Sequence, residues 1–255
     1  CYMVSYIIPT LWKSDSIFNT IEGFKSINDP KAELLIIDND KTNSKYKSDD
    51  DRIKVFTMEQ NQYVNPSWQL GFHYSVNDNI CIINDDIIFN IKRFHKFIIE
   101  SNAEAICMTN WNRIDKDDKM WELVDINSPH ARPAGGGQLM MVKRENWPQL
   151  PFNMKLWHGD DIIYYYNTLK CKVKFCFIRG MAVTGEQSVS VNSDIIPKEM
   201  KTTFTQDTLE YYKRMHILGM ECSTVFPMDL KMAWEYGDID TKLLYEKKLD
   251  KLLNG

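Results

Sequence analysis

No stretch of this chain approaches the roughly 20 consecutive apolar residues that span a bilayer. Its opening residues, Cys1 to Pro9, carry no basic segment and no small-residue cleavage site, so they do not read as a signal peptide. No Cys-x-x-Cys pair occurs. The cysteines stand apart at 1, 81, 107, 171, 176 and 222, which excludes a zinc ribbon and argues against a disulfide framework. Cys81 and Cys107 lie in apolar runs and read as small core residues, so the pattern suits a reducing cytoplasm. Glycine is missing where a phosphate loop would need it. The first apolar run ends in Pro9-Thr10-Leu11-Trp12-Lys13, with no glycine. That argues against a P-loop NTPase, a hydride-transferring dinucleotide fold and a nucleotidyltransferase. There is no internal repeat, and there is no basic amphipathic helix, which disfavours a lipid acceptor.

What is present is an ordinary globular composition, 44% hydrophobic and 26% charged over 255 residues, enough for one large α/β domain with an appendage. The net charge of −4 is uneven. Residues 1–127 hold 14 Lys and Arg against 20 Asp and Glu, whereas residues 128–216 hold 12 against 8. The later segment could therefore face an anionic partner.

The run Ile80-Cys81-Ile82-Ile83-Asn84-Asp85-Asp86 carries the most information. Its apolar half reads as a buried strand. Two carboxylates then follow at the strand's carboxyl end. Charge beside a core is costly unless paired, and hard divalent cations take one or two carboxylates together with substrate phosphates. A solvated acidic turn is the plainer reading of the same residues.

Strands and helices alternate before and after this run. Tyr2–Ile8 reads as a strand ending at Pro9-Thr10, and Ser14–Ile27 as a helix with its apolar stripe at Ile17, Phe18, Ile21 and Phe24. Glu33–Ile37 reads as a strand into Asp38-Asn39-Asp40, and Ile53–Thr57 as another. Asn65-Pro66 reads as an N-cap followed by proline at the first helical position, opening a helix to about Asn77 that buries Trp68, Phe72 and Val76. A helix through Phe94, Phe97 and Ile98 follows the acidic strand. This order predicts an α/β fold with a mainly parallel sheet and helices on both faces. Ligands in such sheets bind outside the carboxyl ends of the strands.

The second half is less regular. Trp111–Pro133 reads as an excursion, and Ala134-Gly135-Gly136-Gly137 as a hinge before a strand at Gln138–Val142. Gly159-Asp160-Asp161 opens a helix from Ile162 to about Leu169. Lys170, Lys172 and Lys174 alternate as if along one strand face, which reads as a solvated face or an anion stripe. Phe204–Leu218 and the last forty residues read as helical. Several residues carry two readings. Asp160-Asp161 could be a general base or a helix N-cap. Trp111, Trp121 and Trp157 could form a stacking platform or belong partly to the core. His158 could meet a metal or an acceptor, or be structural.

Taken in order, these motifs resemble the GT-A nucleotide-sugar glycosyltransferases, nearest to the large inverting group called family 2. The resemblance covers Val4 to Ser190. It rests on the strand into Pro9-Thr10, the strand into Asp38, the Asn65–Ser75 helix, the Asn84-Asp85-Asp86 triplet, and the glycine-rich strand followed by Trp157-His158-Gly159-Asp160-Asp161. It implies a GT-A, Rossmann-like catalytic domain at 1–190, with a nucleotide-sugar half at 1–110, an acceptor-side half at 111–190, and a helical extension at 191–255. It implies nucleotide-sugar contacts from Pro9, Thr10, Asp38, Asp40, Asn65, Asn84, Asp85 and Gly136. Asp86 matches the last Asp of the family's Asp-x-Asp motif and would hold Mn²⁺ or Mg²⁺ against the diphosphate of a UDP-sugar. Asn84 replaces the motif's first Asp. Asp161 matches the family's base best, with Asp160 as the second candidate, and Arg132, Trp157 and His158 would face the acceptor.

The family often adds a histidine metal ligand. The corresponding stretch here, Ala182 to Ser188, has none, leaving Glu186 or a water. The Lys-, Asn- and Ile-rich composition suggests an A+T-rich coding sequence, as many bacteriophages have. Some phages glycosylate hydroxymethylated bases in their own DNA, so that is the expected acceptor, in a host cytoplasm. A glycan-building glycosyltransferase is the alternative, and a nucleotidyltransferase or a non-catalytic nucleotide-sugar-binding module ranks below it.

Overall fold

A computed structural model of the chain describes residues 3–44, 46–108, 113–125, 136–185, 203–204, 206–211 and 214. Trp111, Arg132, Gly135, Glu186 and most of 191–255 lie outside the described residues.

Eight strands form one sheet in the order β3-β2-β1-β4-β9-β6-β10-β8. They are β1 (Val4–Thr10), β2 (Glu33–Asp38), β3 (Ile53–Thr57), β4 (Asn79–Ile83), β6 (Ala105–Cys107), β8 (Glu122–Asp125), β9 (Leu139–Lys143) and β10 (Phe175–Arg179). The expected parallel sheet holds from β3 to β4 and again between β6 and β10. Two strands break it: β9 runs antiparallel between β4 and β6, and β8 antiparallel beside β10. The sheet is mixed, and β4, β6 and β10 still point their carboxyl ends the same way as β1 and β2.

Strand residues alternate between two cores, as the two-residue period requires. Tyr6, Ile8, Leu34, Ile36, Cys81 and Ile83 face one core with α1 (Ser16–Lys25) and α3 (Ile91–Ser101). Ile7, Ile37, Ile80 and Ile82 face the other with α2 (Val64–Tyr74) and α4 (Gly159–Tyr165). Because both faces are covered, β1, β2 and β4 are buried throughout. This is why they read as unbroken apolar runs rather than as alternation. A small second sheet, β5 (Ile88–Phe89), β11 (Met181–Thr184) and β7 (Arg113–Ile114), crosses beside the acidic triplet.

Three local expectations need correction. α2 begins at Val64 rather than after an Asn65 cap. Val76 lies beyond it and is 71% exposed, because the helix ends at Tyr74. The helix from Gly159 changes to π-type over Tyr166–Lys170, and β10 starts only at Phe175. Lys170, Lys172 and Lys174 therefore do not share a strand; Lys172 has left-handed backbone, at φ 58°. All three are exposed, and they precede β10, at the sheet edge opposite the acidic triplet.

Candidate active site

β1, β2 and β4 deliver Thr10, Asp38 and the Asn84-Asp85-Asp86 triplet to one sheet edge, with Thr10 in register with Asp38. Thr10 ties them together. Its hydroxyl donates to Asp85 Oδ2 at 2.7 Å and accepts the Trp12 amide at 2.8 Å. Burial pushes the Asp85 carboxyl up to about 6; the adjacent Asp86 adds to this, while the Thr10 hydroxyl and the Leu11 amide pull it back. Asp86 is 5% exposed. Its backbone carbonyl is approached by Gly185 at the end of β11, where a Cβ would stand 2.4 Å away and φ is 117°. Only glycine fits that approach.

Asp38 is fully buried, and its carboxylate is satisfied within the protein. Oδ1 accepts the Trp12 indole N–H at 2.8 Å and the Asp40 amide at 3.0 Å, and Oδ2 accepts the Thr57 hydroxyl at 3.1 Å. Trp12, which the sequence reading passed over, thus sits in the expected nucleotide site; the signal was an aromatic two residues past the Pro9-Thr10 strand end. Asp40 caps the next turn by accepting from Asn43, whose side-chain contact holds its carboxyl below the usual range. Pro9 is buried in β1.

A second group approaches from α4. Gly136 opens a 3-10 turn to Gln138, and the Gln138 carbonyl accepts the Asn84 amide at 3.0 Å. The Gly137 amide donates to Asp160 Oδ2 at 3.0 Å. The triplet and the α4 carboxylates are therefore joined through one glycine-rich turn. Asp160 and Asp161 occupy the first helical turn, where the helix dipole favours negative charge. They differ in exposure. Asp160 is half-buried. Asp161 is 2% exposed and lies 2.9 Å from His158 Nδ1, while His158 Nε2 lies 3.0 Å from the Thr208 hydroxyl.

Asn65 is also buried. Its amide donates to the Lys155 carbonyl at 2.9 Å, and its side chain to the Trp157 carbonyl at 2.8 Å. It holds the loop before the acids. Trp157 is half-buried, edge-on to Phe204 at 5.4 Å. Trp121 is 9% exposed, in the core under the Arg93 guanidinium. Among the described residues no group of three His, Cys, Asp or Glu side chains forms a metal site. The strand-end carboxylates nonetheless fit a hard cation in kind, since Mg²⁺-type sites are completed by substrate phosphates and water.

This mixed sheet, with paired acids at its carboxyl edge, is the GT-A-like fold of nucleotide-sugar enzymes. The sequence profile described as glycosyl transferase family 2 matches residues 5–173, and the chain belongs to that family. Among solved structures, TarS 1-349 of S. aureus is similar at a TM-score of 0.56 and 14% identity, over 99% of this chain and 71% of that one. The same protein in complex with UDP-GlcNAc gives 0.55 and 12%, over 98% and 80%. GalNAc-T7 with UDP, GalNAc and Mn²⁺ gives 0.53 and 13%, over 96% of this chain and 55% of that one. At these identities the likeness shows the fold. No curated protein sequence matches the chain. Among the described residues no helix is long and apolar enough to cross a membrane.

Proposed function

We propose that the chain transfers a sugar from a nucleoside-diphosphate donor, a UDP-sugar first, to an acceptor hydroxyl with inversion at the anomeric carbon. The observation that carries this is the joining of two acid pairs across the Gly136–Gln138 turn: Asp85-Asp86 at the end of β4 and Asp160-Asp161 at the start of α4. The UDP and UDP-GlcNAc held by structural neighbours support a UDP donor, and the Mn²⁺ of GalNAc-T7 supports a divalent cation. Asp86, with Asp85 beside it, would hold Mn²⁺ or Mg²⁺. When bound, such a cation offsets the charge developing on the leaving diphosphate.

The chain's own residues do the rest. Thr10 fixes Asp85 and thereby the triplet. A carboxylate of the α4 pair takes the acceptor's proton, the acceptor oxygen bonds to the anomeric carbon, and the bond from that carbon to the diphosphate oxygen breaks. Asp161 stands at the motif's base position. Yet its carboxylate is turned onto His158, and Asp160 is the more exposed of the two, so we assign the proton to Asp160.

The acceptor we propose remains a hydroxymethylated base in DNA, with a saccharide as the alternative. The positive balance of residues 128–216 supports DNA; the lysines at 170, 172 and 174 no longer do, since they lie at the far sheet edge. The test is turnover of UDP-sugars with hydroxymethylcytosine DNA and with saccharides, read by intact mass. Asp86→Ala should abolish donor-dependent UDP release in a folded protein, and a chelator should do the same to the wild type. Normal turnover by the variant, or indifference to the chelator, refutes the metal role. A product of retained configuration refutes inversion. Efficient transfer to a saccharide with none to the DNA at low salt removes the DNA acceptor only.

A further inference from the structure

We infer that Asp207 and Thr208, which lie beyond the family-matched residues 5–173, are positioning residues that set the acid pair of α4 from behind; this rests on the glycosyl-transfer reading above. The loop Lys155-Leu156-Trp157-His158 leads directly into Gly159-Asp160-Asp161. Three consecutive amides of that loop end on one carboxylate. Asp207 Oδ1 accepts from the Lys155 N–H at 2.7 Å, and Oδ2 from those of Leu156 and Trp157 at 2.7 and 2.9 Å. Asp207 is fully buried. A buried carboxylate is stable only when such donors satisfy it.

The next residue continues the clamp. Thr208 Oγ1 lies 3.0 Å from His158 Nε2 and donates to the Phe204 carbonyl at 2.8 Å, and His158 Nδ1 reaches Asp161 Oδ2. The His158 ring stacks on Tyr211 at 4.7 Å, and Leu209 and Tyr211 join the same core as Trp68, Ile162 and Ile163. Asn65 grips the same loop from α2 through the Lys155 and Trp157 carbonyls. The loop's amides are thus held from one side and its carbonyls from the other. Two residues in sequence, Asp207 and Thr208, fix both the backbone before the acids and the orientation of Asp161. Helical residues outside the matched region therefore complete the geometry of the site, by contact with the loop rather than with substrate.

The test uses the full chain with UDP-GlcNAc as donor and water as acceptor, and backbone amide exchange as a second readout. Asp207→Asn keeps the size but leaves one acceptor oxygen for three donors. It should speed exchange of the Lys155, Leu156 and Trp157 amides at least tenfold. It should lower kcat for UDP release by about 10²-fold, the scale of a displaced catalytic group, with KM for the donor within about twofold. Thr208→Val should lower kcat in the same sense, and Thr208→Ser, which restores the hydroxyl, should recover it. Unchanged exchange in Asp207→Asn overturns the clamp. Faster exchange with unchanged kcat reduces it to a structural bond and overturns the positioning role. If Asp207→Asn does not fold, the Thr208 pair decides: equal kcat in Val and Ser variants overturns the inference. A wild-type chain that releases no UDP refutes transfer from this donor, and the exchange arm alone then supports or overturns the clamp.

Discussion

At the scale of single residues, the site turns on which of two neighbouring carboxylates is the more exposed. Asp160 and Asp161 are adjacent in sequence, but successive side chains on a helix point about 100° apart. One consequently faces the Gly137 amide, and the other His158. Asp160→Asn should cut the chemical step by about 10²–10⁴-fold, the range for a lost general base, with donor affinity nearly unchanged. Asp161→Asn should cost less, through disturbance of His158. A larger loss in Asp161→Asn than in Asp160→Asn, measured by single-turnover kinetics, would return the base to the motif position. The pair itself was legible because two acids stand directly before an apolar helical run, where the helix start favours them. Which of them is the more exposed was not, since the answer depends on Thr208 and Asp207 some fifty positions away. Asp38 shows the same limit. Its place at the end of β2 was plain, whereas its burial under Trp12 depends on a backbone turn at φ 57° that no residue pattern announced.

At the scale of elements, the site depends on how closely α2 and α4 approach. Gly159 opens α4 with no side chain, and the space is filled from α2. A Cβ there would stand 2.1 Å from Asn65 Oδ1 and 3.1 Å from the Trp68 ring. Gly159→Ala must push the two helices apart or break the bond from Asn65 to Trp157. We expect about 1–3 kcal/mol of destabilisation, the usual cost of overpacking, together with loss of UDP release, because the displaced element carries both acids. Chemical denaturation beside the kinetic assay checks it, and a variant as stable and active as wild type would show that α4 does not rest on α2. The elements themselves were read well where apolar runs were long, as in β1, β2 and β4. The reading failed where short strands reverse direction. Nothing in the Leu139–Lys143 run says that it pairs antiparallel with both neighbours, because apolar burial on two faces is the same for either direction. The alternating lysines imitated a strand because Val173 between them is buried in a loop that happens to share the period of two.

At the scale of the whole molecule, the two edges of the sheet do different work. The carboxyl edge gathers the acids proposed to bind and react. The opposite edge is stitched by a polar network among the strand starts. There Glu33 is 4% exposed and accepts from the Ser5 hydroxyl at 2.6 Å, the Val76 amide at 2.7 Å and the Lys54 ammonium at 2.7 Å. Asn77 and Arg144 continue it, with bonds from Asn77 to the Val4 and Lys31 carbonyls and from Arg144 to the Asn77 carbonyl and the Ser75 hydroxyl. Burial alone would raise the Glu33 carboxyl; the Lys54, Ser5 and Val76 bonds outweigh it and hold the group below its ordinary 4.5. A carboxyl lowered on folding stabilises the protein above its unfolded value, and that contribution is lost as pH falls through the folded one. Glu33→Gln cannot accept all three donors, and an unsatisfied buried partner costs about 1–3 kcal/mol. The variant should therefore be less stable than wild type by about that much at pH 7. The gap should narrow as pH drops below about 4.5, where Glu33 of the unfolded chain takes up its proton, and close once pH is below the lower folded value. Urea unfolding at several pH values measures it, and a gap independent of pH would mean that the charge of Glu33 contributes nothing. Because this network lies across the sheet from Asp86 and Asp160, the folded variant at pH 7 should release UDP at the wild-type rate; a matching loss of turnover would show that the two edges are coupled through β1, β2 and β4.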